Sequence, residues 1–193
     1  MFDSLLGAPR RALLADLRGD VLEVGCGDGD TFRHYAAASS VIALDLQPGV
    51  LPASLVAARR APATVRVIAG VAERLPFATD SFDAYVASLV LCSVSDPWAA
   101  LAEAHRVLRP GGVLRMIEHV RSERRVGALV QESLNPIWHA VNGAGCNLNR
   151  RTVDTVESSG FRIEQVRAIR VPFPFGYVVP LLAIEAITQS RGP

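Results

Sequence analysis

The 193-residue chain has no surplus of charge: 20 Lys+Arg stand against 19 Asp+Glu. A balanced surface offers a polyanion no broad field, so no nucleic-acid partner is expected. Cysteine is scarce. Cys26, Cys92 and Cys146 lie far apart, no two at metal-ligand spacing, and an odd number gives no disulfide framework. No metal is expected, and free thiols fit a reducing, cytoplasmic setting. Long apolar runs are missing too. Nothing approaches the ~18 residues that span a bilayer. The most apolar stretch, 177–187, carries Pro180 and Glu185 and reads as a buried strand with its approach. Stable membrane insertion is therefore not expected. Arg10 and Arg11 follow the first short apolar stretch instead of preceding it, which is not the order of a signal peptide. Repeats and low-complexity tracts are also lacking. What is present suits one ordinary domain spanning 1–193: half of the residues are hydrophobic, enough for a sizeable core. Oligomeric state is not legible.

Apolar runs alternate with helical patterns, which argues for an α/β fold with a mainly parallel sheet. An amphipathic helix is expected at about 4–17. Strands are expected at 21–24, 41–44, 64–69, 82–89 and 113–120, and helices at 31–38 and 51–60 between them. Ser95-Asp96-Pro97 is a helix start, a capping residue followed by proline in the first turn. That helix should run to Leu108 with Trp98, Leu101, His105 and Leu108 on one packed stripe, then break at Arg109-Pro110-Gly111-Gly112. A helix at 152–159 stops at Gly160. Strands at 161–171 and 179–188 should form a hairpin through the Pro-rich turn at 172–180. The stretch from Arg121 to Arg151 fits poorly, with Asn135-Pro136, Gly143 and Gly145 inside it. Long insertions of this kind are usually functional or disordered, and 121–150 is expected to be a substrate lid. The charges from Arg121 to Arg125 read as a solvated face.

The strongest local signal is Val21-Leu22-Glu23-Val24-Gly25-Cys26-Gly27-Asp28-Gly29, a strand running into a glycine-rich turn. Glycine lets backbone approach a ligand and adopt positive φ. The order is GxGxG. A dinucleotide fingerprint needs GxGxxG, and position 30 is Asp30. Acidic residues at 28 and 30 would repel a pyrophosphate but not a cationic sulfonium, which argues against a dehydrogenase. Asp45 closes the second strand 20 residues after Gly25, where a carboxylate can accept hydrogen bonds from ribose hydroxyls. The competing reading is a helix cap. Leu46 beside it can pack on an adenine face.

Two further blocks follow: Gly70-Val71-Ala72-Glu73-Arg74-Leu75-Pro76-Phe77 with Asp80-Ser81-Phe82-Asp83, and Arg106-Val107-Leu108-Arg109-Pro110-Gly111-Gly112. In this order and spacing the four blocks, over about residues 20–120, resemble class I S-adenosylmethionine-dependent methyltransferases. The resemblance implies a Rossmann-like, doubly wound, seven-stranded sheet, mostly parallel with an antiparallel last strand. It implies S-adenosylmethionine as cofactor. Glu23 would orient the glycine loop or hold the cofactor's amino group. Gly25, Cys26 and Gly27 would line the methionine part and Asp45 would take the ribose, with Gly29 and Leu89 as further cofactor-binding candidates. Ala72 would offer its N–H to adenine. Relatives often carry an acid where this chain has Val71, so Glu73 is the substitute candidate.

Downstream, Leu89-Val90-Leu91-Cys92-Ser93-Val94, Ile117-Glu118-His119-Val120, Asn135-Pro136-Ile137-Trp138-His139 and Gly145-Cys146-Asn147-Leu148-Asn149-Arg150 resemble the eukaryotic methyltransferase-like proteins that methylate small alkyl thiols. The resemblance implies a small-molecule acceptor, a thiol. Methyl transfer from a sulfonium is an in-line displacement that needs alignment above all. A thiol is a strong nucleophile once ionised, so a modest base suffices. Glu118 and His119 end the fifth strand, where ligands of open α/β sheets bind, and alternation lets only one of them face the site. His119 is the candidate base. Cys92, Trp138, His139 and Cys146 are candidate acceptor contacts, in walls that include Leu89, Leu91 and Leu148. His105 reads as packing. Two other readings remain: a C- or O-methyltransferase acting on a quinone or phenol, and a non-catalytic module that keeps the cofactor fold.

Overall fold

The structure is a computed structural model and describes residues 2–143, 145–172 and 178–189. Seven strands form one sheet in the order β3-β2-β1-β4-β5-β7-β6. They are β1 (Gly19–Val24), β2 (Ala38–Asp45), β3 (Thr64–Ala69), β4 (Phe82–Ser88), β5 (Leu108–His119), β6 (Phe161–Pro172) and β7 (Val178–Thr188). The first five are mutually parallel. β7 runs antiparallel to both β5 and β6. The doubly wound sheet and the closing hairpin stand as expected. The Pro-rich hairpin turn lies, at 173–177, outside the described residues.

Five helices cover the sheet: α1 (Phe2–Leu14), α2 (Leu51–Ala58), α3 (Pro97–Val107), α4 (Arg125–Val141) and α5 (Thr152–Ser158). β1 and β4 are buried on both faces, as parallel strands under two helical layers must be. One core cluster centres on Leu22, Tyr85, Leu101, Leu114 and Met116. The other lies on the opposite face around Leu14, Val21, Phe32, Tyr35 and Ile117. α3 starts as its sequence dictates: the Asp96 carboxylate accepts the N–H groups of Trp98 and Ala99, and Pro97 fills the first turn. His105 packs edge-on against Phe161 at 5.4 Å between ring centroids.

Four local expectations are corrected. Residues 31–38 form only a 3-10 turn, Phe32–His34. The Thr31 and Tyr35 hydroxyls both turn inward to the Glu23 carboxylate, and β2 already begins at Ala38. Trp98 is half exposed and leaves the packed stripe that Leu101 keeps. Arg109-Pro110-Gly111-Gly112 does not interrupt the chain between helix and strand but belongs to β5, with the register against β4 shifting there. The 121–151 stretch is irregular only outside α4, which holds 17 residues and runs through Pro136. Proline there removes one helical hydrogen bond, and Asn135 beside it is tied to the following segment by accepting the Leu148 N–H at 2.7 Å.

Candidate active site

β1 has β2 on one side and β4 on the other, so the chain reverses its direction of winding there, and a crevice opens at the strands' carboxyl ends. The glycine loop crosses this crevice. Gly25 has φ +68, and its N–H reaches the Leu44 carbonyl at 2.7 Å. A Cβ on Gly25 would collide with Val90 at 2.3 Å, so this glycine serves the approach of the β4–α3 loop. Gly27 has φ +55 and nothing within 4 Å of where a Cβ would stand. It is the glycine that leaves room for a ligand. At Gly29, with φ +85, a Cβ would run into Phe32 and Ala57, so packing alone already requires glycine there. The Cys26 thiol is likewise turned into the core, and burial pushes its pKa up to about 12. Only Cys26 backbone remains for a ligand.

Asp45 holds this loop in place. One carboxylate oxygen accepts the Gly27 N–H at 2.8 Å and the other accepts the Gln47 N–H at 2.9 Å. It caps no helix, since α2 begins only at Leu51. Each oxygen keeps a lone pair for a ribose hydroxyl. Leu46 beside it is 66% exposed, an apolar face where an adenine would lie. Glu23 is fully buried. Its two oxygens accept Thr31 Oγ1 at 2.6 Å and Tyr35 OH at 2.7 Å. Both its oxygens thus tie β1 to the 3-10 turn that follows the glycine loop. Desolvation pushes its pKa up to about 7 against those hydrogen bonds. Ala72 sits in a tight turn closed by Val71 and Arg74. The Glu73 Oε1 accepts the N–H groups of Ser95 and Asp96. It braces the start of α3, which corrects the substitution suggested for it.

The second half of the crevice is built on the β4–α3 loop. Leu89, half-buried, takes φ +61, and its N–H bonds the Ile117 carbonyl at 2.7 Å. Glu118 lies beneath the loop, fully buried, and accepts the N–H groups of Val90 (2.9 Å), Leu91 (2.9 Å) and Cys92 (3.2 Å). Desolvation lifts its pKa to about 7. With both oxygens engaged in backbone, Glu118 is a structural anchor, and its candidacy as a catalytic acid or base is corrected. Arg150 closes the loop from the other side, donating to the carbonyls of Leu91 and of Val94. Asn147 bonds the Cys92 carbonyl through its backbone N–H (2.8 Å) and its amide (3.0 Å). Neither residue stands out in sequence as a site residue, although both lie in the Cys146–Arg150 block.

His119 and Cys146 meet over this loop. The His119 Nδ1 lies 3.8 Å from the Cys146 sulfur. His119 is 7% exposed, and its Nε2 is buried with no partner among the described residues. The buried Cys92 thiol and the Trp138 side chain also stand beside the Cys146 sulfur. The neighbouring Cys92 thiol, with help from His119, holds the Cys146 thiol below the usual thiol range, and Cys92 itself moves up. Four of the expected acceptor-side residues thus converge: Cys92, His119, Trp138 and Cys146. His139 does not join them. It is exposed, with its ring edge near Gly145.

Residues 22–116 match a family model described as a methyltransferase domain. With the seven-strand order and a glycine loop held by Asp45, that match defines a Rossmann-like methyltransferase of class I, whose cofactor is S-adenosylmethionine. The chain belongs to the S-adenosylmethionine-dependent methyltransferase family and is 33% identical over 183 residues to the thiol S-methyltransferase TMT1B of Rattus norvegicus, covering 90% of this chain and 75% of that one. It is 46% identical over 99 residues to the demethylmenaquinone methyltransferase of Renibacterium salmoninarum, covering 51% of this chain and 40% of that one. An S-adenosylmethionine-dependent methyltransferase from Mesorhizobium loti shares the fold with a TM-score of 0.69 at 21% identity, covering 95% of this chain and 97% of that one.

Proposed function

We propose that this enzyme methylates the sulfur of a small, apolar thiol, with His119 as the base. The observation that carries the reading is His119 itself, a buried imidazole with one nitrogen on Cys146 and the other unpartnered at the carboxyl end of β5. S-adenosylmethionine, when bound, supplies a methyl group on a cationic sulfur that leaves as a neutral thioether. Gly27 and the Asp45 carboxylate would hold it, the open backbone beside the methionine part and the free lone pairs toward the ribose. Everything else falls to residues around His119.

A Cys146 thiolate accepts the Nδ1–H of His119 and leaves the Nε2 lone pair facing the acceptor. When Nε2 takes the acceptor's proton, the thiolate stabilises the imidazolium that forms. An aspartate beside a catalytic histidine acts by the same electrostatics. The acceptor thiol then attacks as thiolate, the form that is nucleophilic. Leu91, Val94, Leu148 and Trp138 supply apolar surface around these groups, which excludes water and favours a hydrophobic acceptor. Segment 121–150 acts as the lid: α4 brings Trp138 over the site and the tail from Gly145 brings Cys146.

A quinone or phenol acceptor is the second reading, favoured by the identity to the demethylmenaquinone methyltransferase. That identity covers only half of this chain. The thiol methyltransferase relative extends through the half that holds His119 and Cys146. A radiolabelled-methyl assay against thiols, phenols, quinols and amines separates the two. Thiols are expected to be methylated fastest; robust quinol methylation with inert thiols would replace the thiol reading.

A further inference from the structure

α4 is built inside out. Its inward side is polar or small: Ala128 and Gln131 are the buried residues. Gln131 accepts the Ser122 N–H at 2.6 Å and donates to the Val120 carbonyl at 3.0 Å. Asn135 on the same side bonds Asn147 and Leu148. The outward side carries Val126, Leu129, Val130, Leu134, Ile137 and Val141, all exposed, with Val126 at 75% and Val141 at 71%. At 3.6 residues per turn these six fall within an arc of about 140°, opposite the buried side. Trp138 continues that arc on one flank, half exposed, and also stands beside the Cys146 sulfur. Scattered exposed leucines need no explanation, but a continuous apolar stripe does.

We propose that the outer face of α4 docks on the surface of a bilayer containing anionic phospholipid, lying in the plane of the interface with Trp138 at headgroup level. Three observations favour lipid. The face is a ridge about 25 Å long on a single helix, hence roughly 250 Å² if about 10 Å wide. A stable protein interface needs about 800 Å² per partner, whereas interfacial helices act through one such stripe. The helix start is cationic: Arg124 and Arg125 are exposed and make no ion pair among the described residues. Of the two acids in the segment, Glu132 is held by Arg121 at 2.8 Å and only Glu123 stands free. The first turn has no acidic side chain and no side-chain cap. Its free N–H groups and the helix dipole therefore suit a phosphate headgroup. No helix among the described residues is long and apolar enough to cross a membrane, so the docking is reversible and lies at the surface.

The test uses the full chain with Trp98→Phe, which leaves Trp138 as the sole tryptophan, and mixed phosphatidylcholine–phosphatidylglycerol vesicles. Expected are co-sedimentation with the vesicles and a blue shift of Trp138 emission, both weakened by salt. Leu129→Glu with Ile137→Glu should weaken vesicle binding roughly tenfold or more, while calorimetry shows S-adenosylmethionine binding unchanged and hence an intact fold. Arg124→Glu with Arg125→Glu should remove the preference for anionic over neutral vesicles. Absence of co-sedimentation and of the blue shift overturns the proposal. So does a concentration-dependent dimer that the Leu129/Ile137 variant dissolves and vesicles do not compete with, since a second copy would then be the occupant.

Discussion

The His119 imidazole and the Cys146 thiol lie 3.8 Å apart although 27 residues separate them. One side chain ends β5 and the other follows α4. Cys146 ionises below the usual thiol range because the Cys92 thiol and His119 stand beside it. The pair has a kinetic signature. A thiol acceptor ionises unaided near pH 8.5, so a base matters only below that. His119→Ala is expected to depress kcat/KM by about 10²-fold at low pH and to leave the high-pH rate nearly intact. Cys146→Ala should weaken the same low-pH limb less. The check is the pH profile of both variants with two thiols of different acidity. An equal loss at every pH would make His119 a packing residue.

Asp45 binds two backbone N–H groups, that of Gly27 in the glycine loop and that of Gln47 two residues further on. Asp45→Ala strands both and removes the acceptor proposed for the ribose hydroxyls. S-adenosylmethionine affinity should fall by roughly 1–3 kcal/mol. Calorimetry measures it, with NAD as the ligand expected not to bind. An unchanged dissociation constant would reduce Asp45 to a loop residue.

Glu23 carries a pH dependence of stability. Its folded pKa, about 7, lies above the unfolded value of 4.5, chiefly because burial disfavours the charge. The folded state therefore holds a proton that the unfolded state releases. Stability from this group is fully present below about pH 4.5 and is lost as pH rises through about 7, a change of roughly 3 kcal/mol. Glu23→Gln should remove this component. Thermal melts of both proteins from acid to neutral pH give it as the difference between the two curves, which should narrow in favour of the variant as pH rises. Parallel curves would count against a buried, protonated Glu23.

The segment proposed as a lid is tied down at its ends, and its outer side is exposed. The Arg121 N–H bonds the Arg150 carbonyl at 2.9 Å, and Asn147 and Arg150 grip the β4–α3 loop. Hydrogen exchange is expected to be slow at 145–151. In α4 it should be faster and should slow when S-adenosylmethionine and acceptor are both bound. Slow exchange in α4 without ligand, unaltered on binding, would rule out a moving lid.

What could be read in advance was whatever local chemistry fixes by itself. The glycine loop after a buried strand, Asp96-Pro97 at the head of α3 and the β6–β7 hairpin all rest on short-range rules of backbone freedom, capping and alternation. The misreadings share one cause. Residues 31–38 look helical, but Thr31 and Tyr35 are claimed by Glu23 on the neighbouring strand. Segment 121–151 looks broken at Asn135-Pro136, but Asn135 has a partner at Leu148 that holds the helix in place. Glu118 looks like an active-site acid, yet it serves three N–H groups 26 to 28 residues earlier in the chain. In each case a distant partner outweighed local propensity.

The sequence by itself determined the class of the fold, the place of the cofactor loop and the carboxylate after the second strand, because each is encoded within a few consecutive residues. Tertiary structure decided which chemical groups are free to act. Glu23, Glu118 and Glu73 are carboxylates that a linear reading offers to a ligand, and packing commits each to a hydroxyl pair or to backbone N–H groups. His119 keeps a free nitrogen because its other face meets Cys146, and that meeting depends on how α4 folds back over β5. Buried polar groups must find partners wherever the fold brings them, so whether the second nitrogen of His119 finds one is a property of the whole sheet and its crossovers, not of any segment.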